Sequence, residues 1–505
     1  MKAVNRAVIY VTRDIERALG QTPSANYIIL TNSTAYSEEI RAKYPDFVFT
    51  FKKIAHSETN NVNNSGNNEL STDGILDTYD LLVHKDVTEK ILATSKNFEQ
   101  VGILVFKNNS RIERAVAEIA EKISNVKNPC EIKLLNPGAE LADKIEGKIS
   151  QIEWLKKEPS LINLLPPHAV CKAKEIKWGM KFGNEDKEQP FVVQWNHGHT
   201  GTGTIFIEKE TDISKNINAN FAERDARVTK KINGVMYTTN GIVFGMENKG
   251  TEAKTKTEAK SELELKLKSE KIAGGMQNAQ KVIVCHTSLQ ITGMLPFTDS
   301  VGTTVGNDWA LPHDFLSEEV QEKINNICKQ VGEKMAKDGW LGLYGIDVIV
   351  EDGTQEVFLI EINARQSANI SYESILQNHF IEQGSKGITT FNAHIHALFG
   401  DSYEKLLSES QNKENNNDSV IVAINDGAQI IQRVTEKFQK AKSTGRQIDI
   451  IALKNLGFNV LEYANTENGA DALRIQSTQG IMERSHTFNV RGKEILAAVS
   501  EIYPL

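Results

Sequence analysis

Short apolar runs recur along the chain, separated by stretches with helical spacing. Runs at 27–30, 47–51, 101–106 and 131–135 read as strands, and the spacing of apolar positions over 38–43 and 112–123 predicts helices between them. Strands alternating with helices predict a parallel, doubly wound α/β unit over residues 1–133. No G-x-G-x-x-G turn is present in it, so no dinucleotide is assigned there. Asn136-Pro137 breaks the pattern, and a helix is expected over 139–157, ending before Leu165-Pro166-Pro167. Strands at 191–195 and 204–207 flank a Gly-rich loop, a helix starts near Asp212, and strands follow at 226–232 and 235–244. Further strands are expected at 282–286 and 289–293, then a helix over 317–337 and helical, apolar sequence over 373–400. Polar, low-complexity composition marks 57–72 and 247–281 as insertions and 408–419 as a linker. The last unit reads as strands at 420–424, 428–433, 448–453 and 460–461 and a helix over 492–502.

The pattern is least ordinary at 342–374. Two apolar strands joined by an Asp352-Gly353 turn carry acid where a buried strand should not. Asp347 interrupts Ile346, Val348 and Val350, and Glu361 and Asn363 interrupt Phe358, Leu359, Ile360 and Ile362. Alternation puts Glu361 and Asn363 on one face, and a turn centred near Thr354 sets Asp347 opposite Glu361. Two carboxylates and an amide oxygen converge, with Arg365 just beyond. Such a group calls for a cation between the acids; three hard oxygen ligands suit Mg²⁺. The alternative is a salt-bridged cluster in which Arg365 neutralises the acids.

Composition narrows the class. The chain has 505 residues, too many for one core, and its net charge of −8 argues against a general nucleic-acid binder. Cys130, Cys171, Cys285 and Cys328 are scattered, without metal-ligand spacing, and read as buried, reduced thiols. No apolar run is long enough to span a membrane and no leader pattern opens the chain, so a cytoplasmic protein is expected.

The Gly-rich loop runs from Trp195 to Thr204 and contains Gly198, Gly201 and Gly203. Its strand–loop–strand setting differs from that of a dinucleotide fingerprint or a Walker loop, where a helix follows the glycines. It can cover phosphate with backbone N–H groups, or serve as an ordinary hairpin turn. His197 and His199 lie in the same loop and read as substrate-contacting or surface groups rather than metal ligands.

These motifs, in this order, resemble the ATP-grasp superfamily of carboxylate–amine ligases and biotin-carboxylase-like enzymes. The matching pieces are Asp143 to Lys148 with Leu165-Pro166-Pro167, the small lid over 191–207, Val228 to Gly234, and the E-x-N-x-R set Glu361, Asn363 and Arg365. The resemblance implies an α/β (α+β) fold in three parts. These are an N-terminal domain at 1–133, an ATP-grasp domain at 134–415 with its lid at about 170–245, and a C-terminal α/β domain at 416–505. It implies Asp347, Glu361 and Asn363 as ligands of Mg²⁺ (or Mn²⁺), and Arg365 as the residue that stabilises acyl-phosphate formation. Gly198, Gly201 and Gly203 would cover the ATP phosphates, with Lys148, Gln194 and His199 beside them. Lys230 and Ile232 would meet adenine through the main chain.

Two positions depart from the family pattern. Gln194 stands where the lid strand usually carries lysine, and Thr229 stands near the usual glutamate. Lys144, Lys148, Lys172 and Lys181 are the candidates to supply the missing charge. The activity implied is an Mg²⁺- and ATP-dependent ligation of a small-molecule carboxylate to an amine, without nucleic acid or membrane and with a homodimer as the default assembly. The alternatives are carboxylation through carboxyphosphate and an ATP-binding regulator. Gly306-Asn307-Asp308-Trp309 and His313 read as a structural loop, with substrate contact as the other option.

Overall fold

The computed structural model describes residues 5–52, 74–123, 130–182, 189–196, 203–217, 219–245, 281–409, 419–445, 448–463, 465 and 467–500. The segment expected as an insertion at 57–72 lies outside these residues, as does that at 247–281 apart from Lys281; the linker expected at 408–419 lies mostly outside.

Three large sheets organise the described residues, beside a two-stranded ribbon of Met482–Arg484 and Thr487–Phe488. The first is built from β1 (Arg6–Thr12), β2 (Tyr27–Asn32), β3 (Val48–Phe51), β4 (Gln100–Val105) and β5 (Glu131–Leu134). All are parallel, as the alternating strand and helix pattern predicts; their order is β3-β2-β1-β4-β5, and the central strand β1 is not among those named from the sequence. β1 and β2 are buried along nearly their whole length, because helices cover both faces of a parallel sheet. The helix Ser110–Glu121 packs Ile112, Ala115, Val116 and Ile119 inward, and Asn109 caps it by accepting from the N–H groups of Arg111 and Ile112.

The second sheet is the lid: β6 (His168–Lys172), β7 (Phe191–Trp195), β8 (Thr204–Ile207) and β9 (Asp225–Lys230). It is antiparallel with the order β6-β9-β7-β8, so the last strand inserts between the first two. Phe191, Val193, Ala226 and Val228 point into its own small core.

The third and largest sheet holds β10 (Gly234–Phe244), β11 (Lys281–Thr292), β12 (Thr304–Asp308), β13 (Gly342–Glu351) and β14 (Val357–Asn363). It continues through β15 (Ala428–Arg433), β16 (Asn459–Glu462) and β17 (Asp471–Ser477) in the order β14-β13-β10-β11-β12-β15-β17-β16. The strands beyond residue 416 therefore extend this sheet rather than building a separate one. The helix Glu318–Lys337 lies against it, burying Val320, Ile324, Ile327, Cys328, Val331 and Met335 at helical spacing. Each such aliphatic side chain is worth about 1.5–3 kcal/mol when fully buried. Ser317 starts the helix by accepting from the Val320 N–H.

Several expected elements differ. The run at 448–453 forms the helix Ile450–Asn455, because Asp449 caps it by accepting the Ala452 N–H at 2.7 Å. At 420–424 only Ile421 forms a bridge, to Ile388. The helix expected over 139–157 is two helices, Ala139–Glu146 and Lys148–Leu155, divided at Gly147. The strands expected at 282–286 and 289–293 are one, β11. All four cysteines are unpaired, and only Cys328 is fully buried. Among the described residues no helix is long and apolar enough to cross a membrane.

Candidate functional site

The β13–β14 hairpin closes through a turn in which Gly353 takes φ +81°, a left-handed conformation that glycine adopts without strain. Its register sets Asp347 opposite Glu361 and Gly345 opposite Asn363, with a shift between Asp347 and Val348. On the other side of β13, Thr238 of β10 pairs with Asp347. Thr238 Oγ1 donates to Asp347 Oδ1 at 2.9 Å, and Asn363 Nδ2 donates to Asp347 Oδ2 at 3.2 Å. Gln290 Nε2 in turn donates to Thr238. Burial pushes the Asp347 carboxyl up to about 6, and the facing Glu361 charge adds to that, against the hydrogen bonds from Thr238 and Asn363. Asp347, Glu361 and Asn363 are thus brought together, as the strand alternation predicts.

Lys148 completes this group. Its buried ammonium forms an ion pair with Glu361 Oε1. The division at Gly147 is what aims it there. Asn196, just past β7, accepts the Lys148 N–H at its carbonyl (2.9 Å) and the Ile149 and Ser150 N–H groups at Oδ1 (2.9 and 3.3 Å). A residue of the lid therefore caps the helix that carries Lys148. A Cβ on Gly147 would come within 2.8 Å of Asn196 Oδ1 and 2.3 Å of Ser150 Oγ, so a side chain there would have to push the cap aside. The other lysine candidates lie elsewhere. Lys172 pairs with Asp225 at 2.8 Å, and Lys144 and Lys181 are exposed.

Arg365 does not neutralise Asp347 or Glu361. It forms an ion pair with Glu146, which also accepts from Lys107 Nζ at 2.5 Å. Burial works to raise the Glu146 pKa, but Arg365 and Lys107 outweigh it and the net shift is downward. The alternative of a closed salt bridge between Arg365 and the hairpin acids is therefore set aside, and their cation is Lys148.

Gln194 lies on β7 opposite Arg227 of β9, and its Oε1 accepts from Arg227 Nε and Nη2. Arg227 Nη2 also donates to the Ile360 carbonyl at 2.9 Å, which ties the lid to the hairpin beside Glu361. Gly203 has φ +90°, and its carbonyl accepts the Trp195 N–H at 3.1 Å. His197, Gly198, His199 and Gly201 lie outside the described residues. The Lys230 N–H is already donated to the Pro167 carbonyl at 2.9 Å, so the donor half of its expected main-chain contact is in use. Ile232 is buried.

The Gly306–Trp309 stretch makes internal contacts. Buried Asp308 accepts four backbone N–H groups, from Ala310, Leu311, Ile481 and Met482, at 2.7–2.9 Å. Trp309 Nε1 donates to Glu373, and His313 Nε2 meets the Ile424 carbonyl at 3.1 Å.

Sequence reasoning missed Thr238, Asn196, Glu146 and Arg227. Each reaches the site by pairing or capping between distant segments. Glu146 alone carried a local signal, lying two residues before Lys148. Among the described residues no group of three or more His, Cys, Asp or Glu side chains is placed to hold a metal. The hairpin offers two carboxylates and an amide instead.

The parallel N-terminal sheet, the four-stranded lid and the large antiparallel sheet with its acid-bearing hairpin define an ATP-grasp fold. Two solved structures with this fold are a carboxyaminoimidazole ribonucleotide synthase and an N5-carboxyaminoimidazole synthetase. One is from Aspergillus clavatus, complexed with ATP (TM-score 0.51, 12% identity, 99% of this chain and 98% of that one). The other is the synthetase from Staphylococcus aureus, complexed with ADP (TM-score 0.52, 10% identity, 99% and 98%). The biotin carboxylase domain of Hydrogenobacter thermophilus 2-oxoglutarate carboxylase, a dimer with MgADP, ADP and bicarbonate, is similar too (TM-score 0.50, 11% identity, 99% and 90%). No protein-family model and no curated protein matches the sequence.

Proposed function

We propose that the chain is an ATP-dependent ligase that activates a carboxylate as an acyl phosphate and transfers the acyl group to an amine or similar nucleophile. The observation that carries this reading is the meeting of Asp347, Glu361 and Asn363 with Lys148 at the point where the lid touches the hairpin. In this reading residues 1–133, 134–415 and 416–505 are the three functional parts.

The donor set fits Mg²⁺, which commonly takes one or two carboxylates and completes its shell with water and substrate phosphates. The raised pKa of Asp347 has the same sense, since a cation between facing carboxyl groups relieves their repulsion. Asp347, Glu361 and Asn363 would hold Mg²⁺, or Mn²⁺ with the same hard ligands, and the ion would neutralise charge on the ATP phosphates. A substrate carboxylate oxygen attacks the γ-phosphorus, and the bond to ADP breaks with ADP keeping the electron pair. Arg365, oriented by Glu146, would hold the anionic oxygens of the acyl phosphate. The amine nitrogen then adds to the acyl carbon, phosphate leaves, and the nitrogen gives up a proton. Gly198, His199, Gly201 and Gly203 would cover the phosphates and keep water out, and Ile232 with the Lys230 main chain would flank adenine.

A second substrate class is bicarbonate, which gives carboxyphosphate at the same site; the bicarbonate and carboxyaminoimidazole enzymes among the similar structures favour including it. The test is release of ADP and phosphate with Mg²⁺ and ATP over paired amines and acids, bicarbonate included. Turnover that needs both a carboxylate and a nucleophile is expected. ATP binding without turnover on any pair would overturn the ligase reading and leave a nucleotide-binding regulator.

A further inference from the structure

The lid carries a charge that the reaction above does not use. β9 lies between β6 and β7, so Arg227 is central in the lid, on the same face as Gln194. Its side chain is 2% exposed. Nε and Nη2 are fixed, at 3.0 and 2.5 Å from Gln194 Oε1. Gln194 Nε2 is committed to Thr204 Oγ1 at 3.3 Å, which turns the amide oxygen toward the arginine. Nη1 is buried with no hydrogen-bond partner. An unpaired buried donor on a cation costs more than an unpaired neutral one, so Nη1 has hydrogen-bonding capacity left for a partner.

The surroundings say what the partner is. Nη2 reaches the carbonyl of Ile360, the neighbour of Glu361, so the guanidinium stands at the edge of the acid cluster. The nearest acid, Glu361, already has Lys148. Burial lowers the Arg227 pKa to about 10, with Glu361 acting the other way, so the group stays charged at neutral pH. β7 runs directly from Gln194 into the Gly-rich loop.

We propose that Arg227, held by Gln194, makes the lid's cationic contact to the phosphates of a bound nucleotide. This rests on the nucleotide reading above. Gln194 is then a clamp and not a vacancy: a lysine at 194 would put two cations face to face, whereas glutamine accepts from two guanidinium nitrogens and leaves the third directed at the ligand.

The test measures binding of ADP and of adenosine to the full chain by calorimetry in Mg²⁺. Arg227→Met should weaken ADP about 10- to 100-fold, equal to about 1.4–2.7 kcal/mol, and leave adenosine within about twofold. Arg227→Lys should recover part of the loss. Gln194→Glu keeps the arginine but neutralises it, and should show the same selective loss. Unchanged ADP affinity in Arg227→Met overturns the proposal, as does an equal loss of ADP and adenosine, which marks a structural role. If Arg227→Met does not fold, Gln194→Glu is decided by the same two criteria. A wild-type chain that binds neither ADP nor ATP refutes the nucleotide reading itself, a result distinct from a variant that binds as well as wild type.

Discussion

Lowering the pH from 7 to 5 should cost the folded protein about 2 kcal/mol through His394 alone. His394 is buried, and its Nδ1 accepts the Leu343 N–H at 3.0 Å, which requires a neutral ring with the proton on Nε2. The ring packs on Gly342, where a Cβ would come within 2.6 Å of it, so it seats the first residue of the strand that carries Asp347. Burial lowers its pKa from 6.5 to about 3. The unfolded chain therefore binds a proton that the folded chain refuses. Stability is intact above about pH 6.5, falls as the pH drops through that value, and levels off only below about 3. At pH 5 the linkage amounts to about 1.5 pH units at 1.36 kcal/mol each, or about 2 kcal/mol. Other groups titrate over the same range, so the measurement is a difference. His394→Asn keeps an acceptor in the place of Nδ1 and removes the ionisation. Urea unfolding of both proteins at pH 7 and pH 5 should show wild type losing about 2 kcal/mol more than the variant. Equal losses would mean that the ring is protonated in the fold or that water reaches it, and the burial argument would fail.

Asp347→Asn or Glu361→Gln should abolish Mg²⁺-dependent turnover while the far-ultraviolet circular dichroism is kept; full activity in either would remove the hairpin as the metal site. Arg365→Ala should lower kcat more than ATP affinity, because Glu146 keeps that arginine off the hairpin acids; equal loss of both would move Arg365 into ground-state binding. Gly147→Ala should lower ATP affinity and melting temperature together, since the added methyl collides with Asn196 and Ser150; an unchanged protein would mean that the cap can shift aside.

The hairpin was legible because everything that defines it is local. Period-two alternation and one turn bring Asp347 and Glu361 to the same stretch of the hairpin, and a bulge that leaves Ile360 unpaired in the ladder sets them opposite each other. Its ionic environment was not legible, because the cation comes from Lys148 at the start of a helix, set there by Asn196 of the lid. Arg227 was hidden by topology. β9 pairs with both β6 and β7, so the strand that places an arginine beside Gln194 is not its neighbour in sequence. Two apolar runs also misled: 448–453 suits either element by composition, and the capping Asp449 decides it, while Val420, Ile421, Val422 and Ile424 are buried without a ladder. The parallel N-terminal sheet followed from alternation alone, whereas continuation of the large sheet through β15 and β17 is a long-range pairing that periodicity does not encode.

The Asn196 cap joins the lid to the helix that carries Lys148. Its carbonyl and amide hold the first turn of the Lys148 helix, so the lid cannot swing away without uncovering three backbone N–H groups. The position of the lid and the first turn of the Lys148 helix are thereby geared to a single latch. The amides of Lys148, Ile149 and Ser150 serve as its gauge, and their exchange with solvent reads how often the cleft stands open.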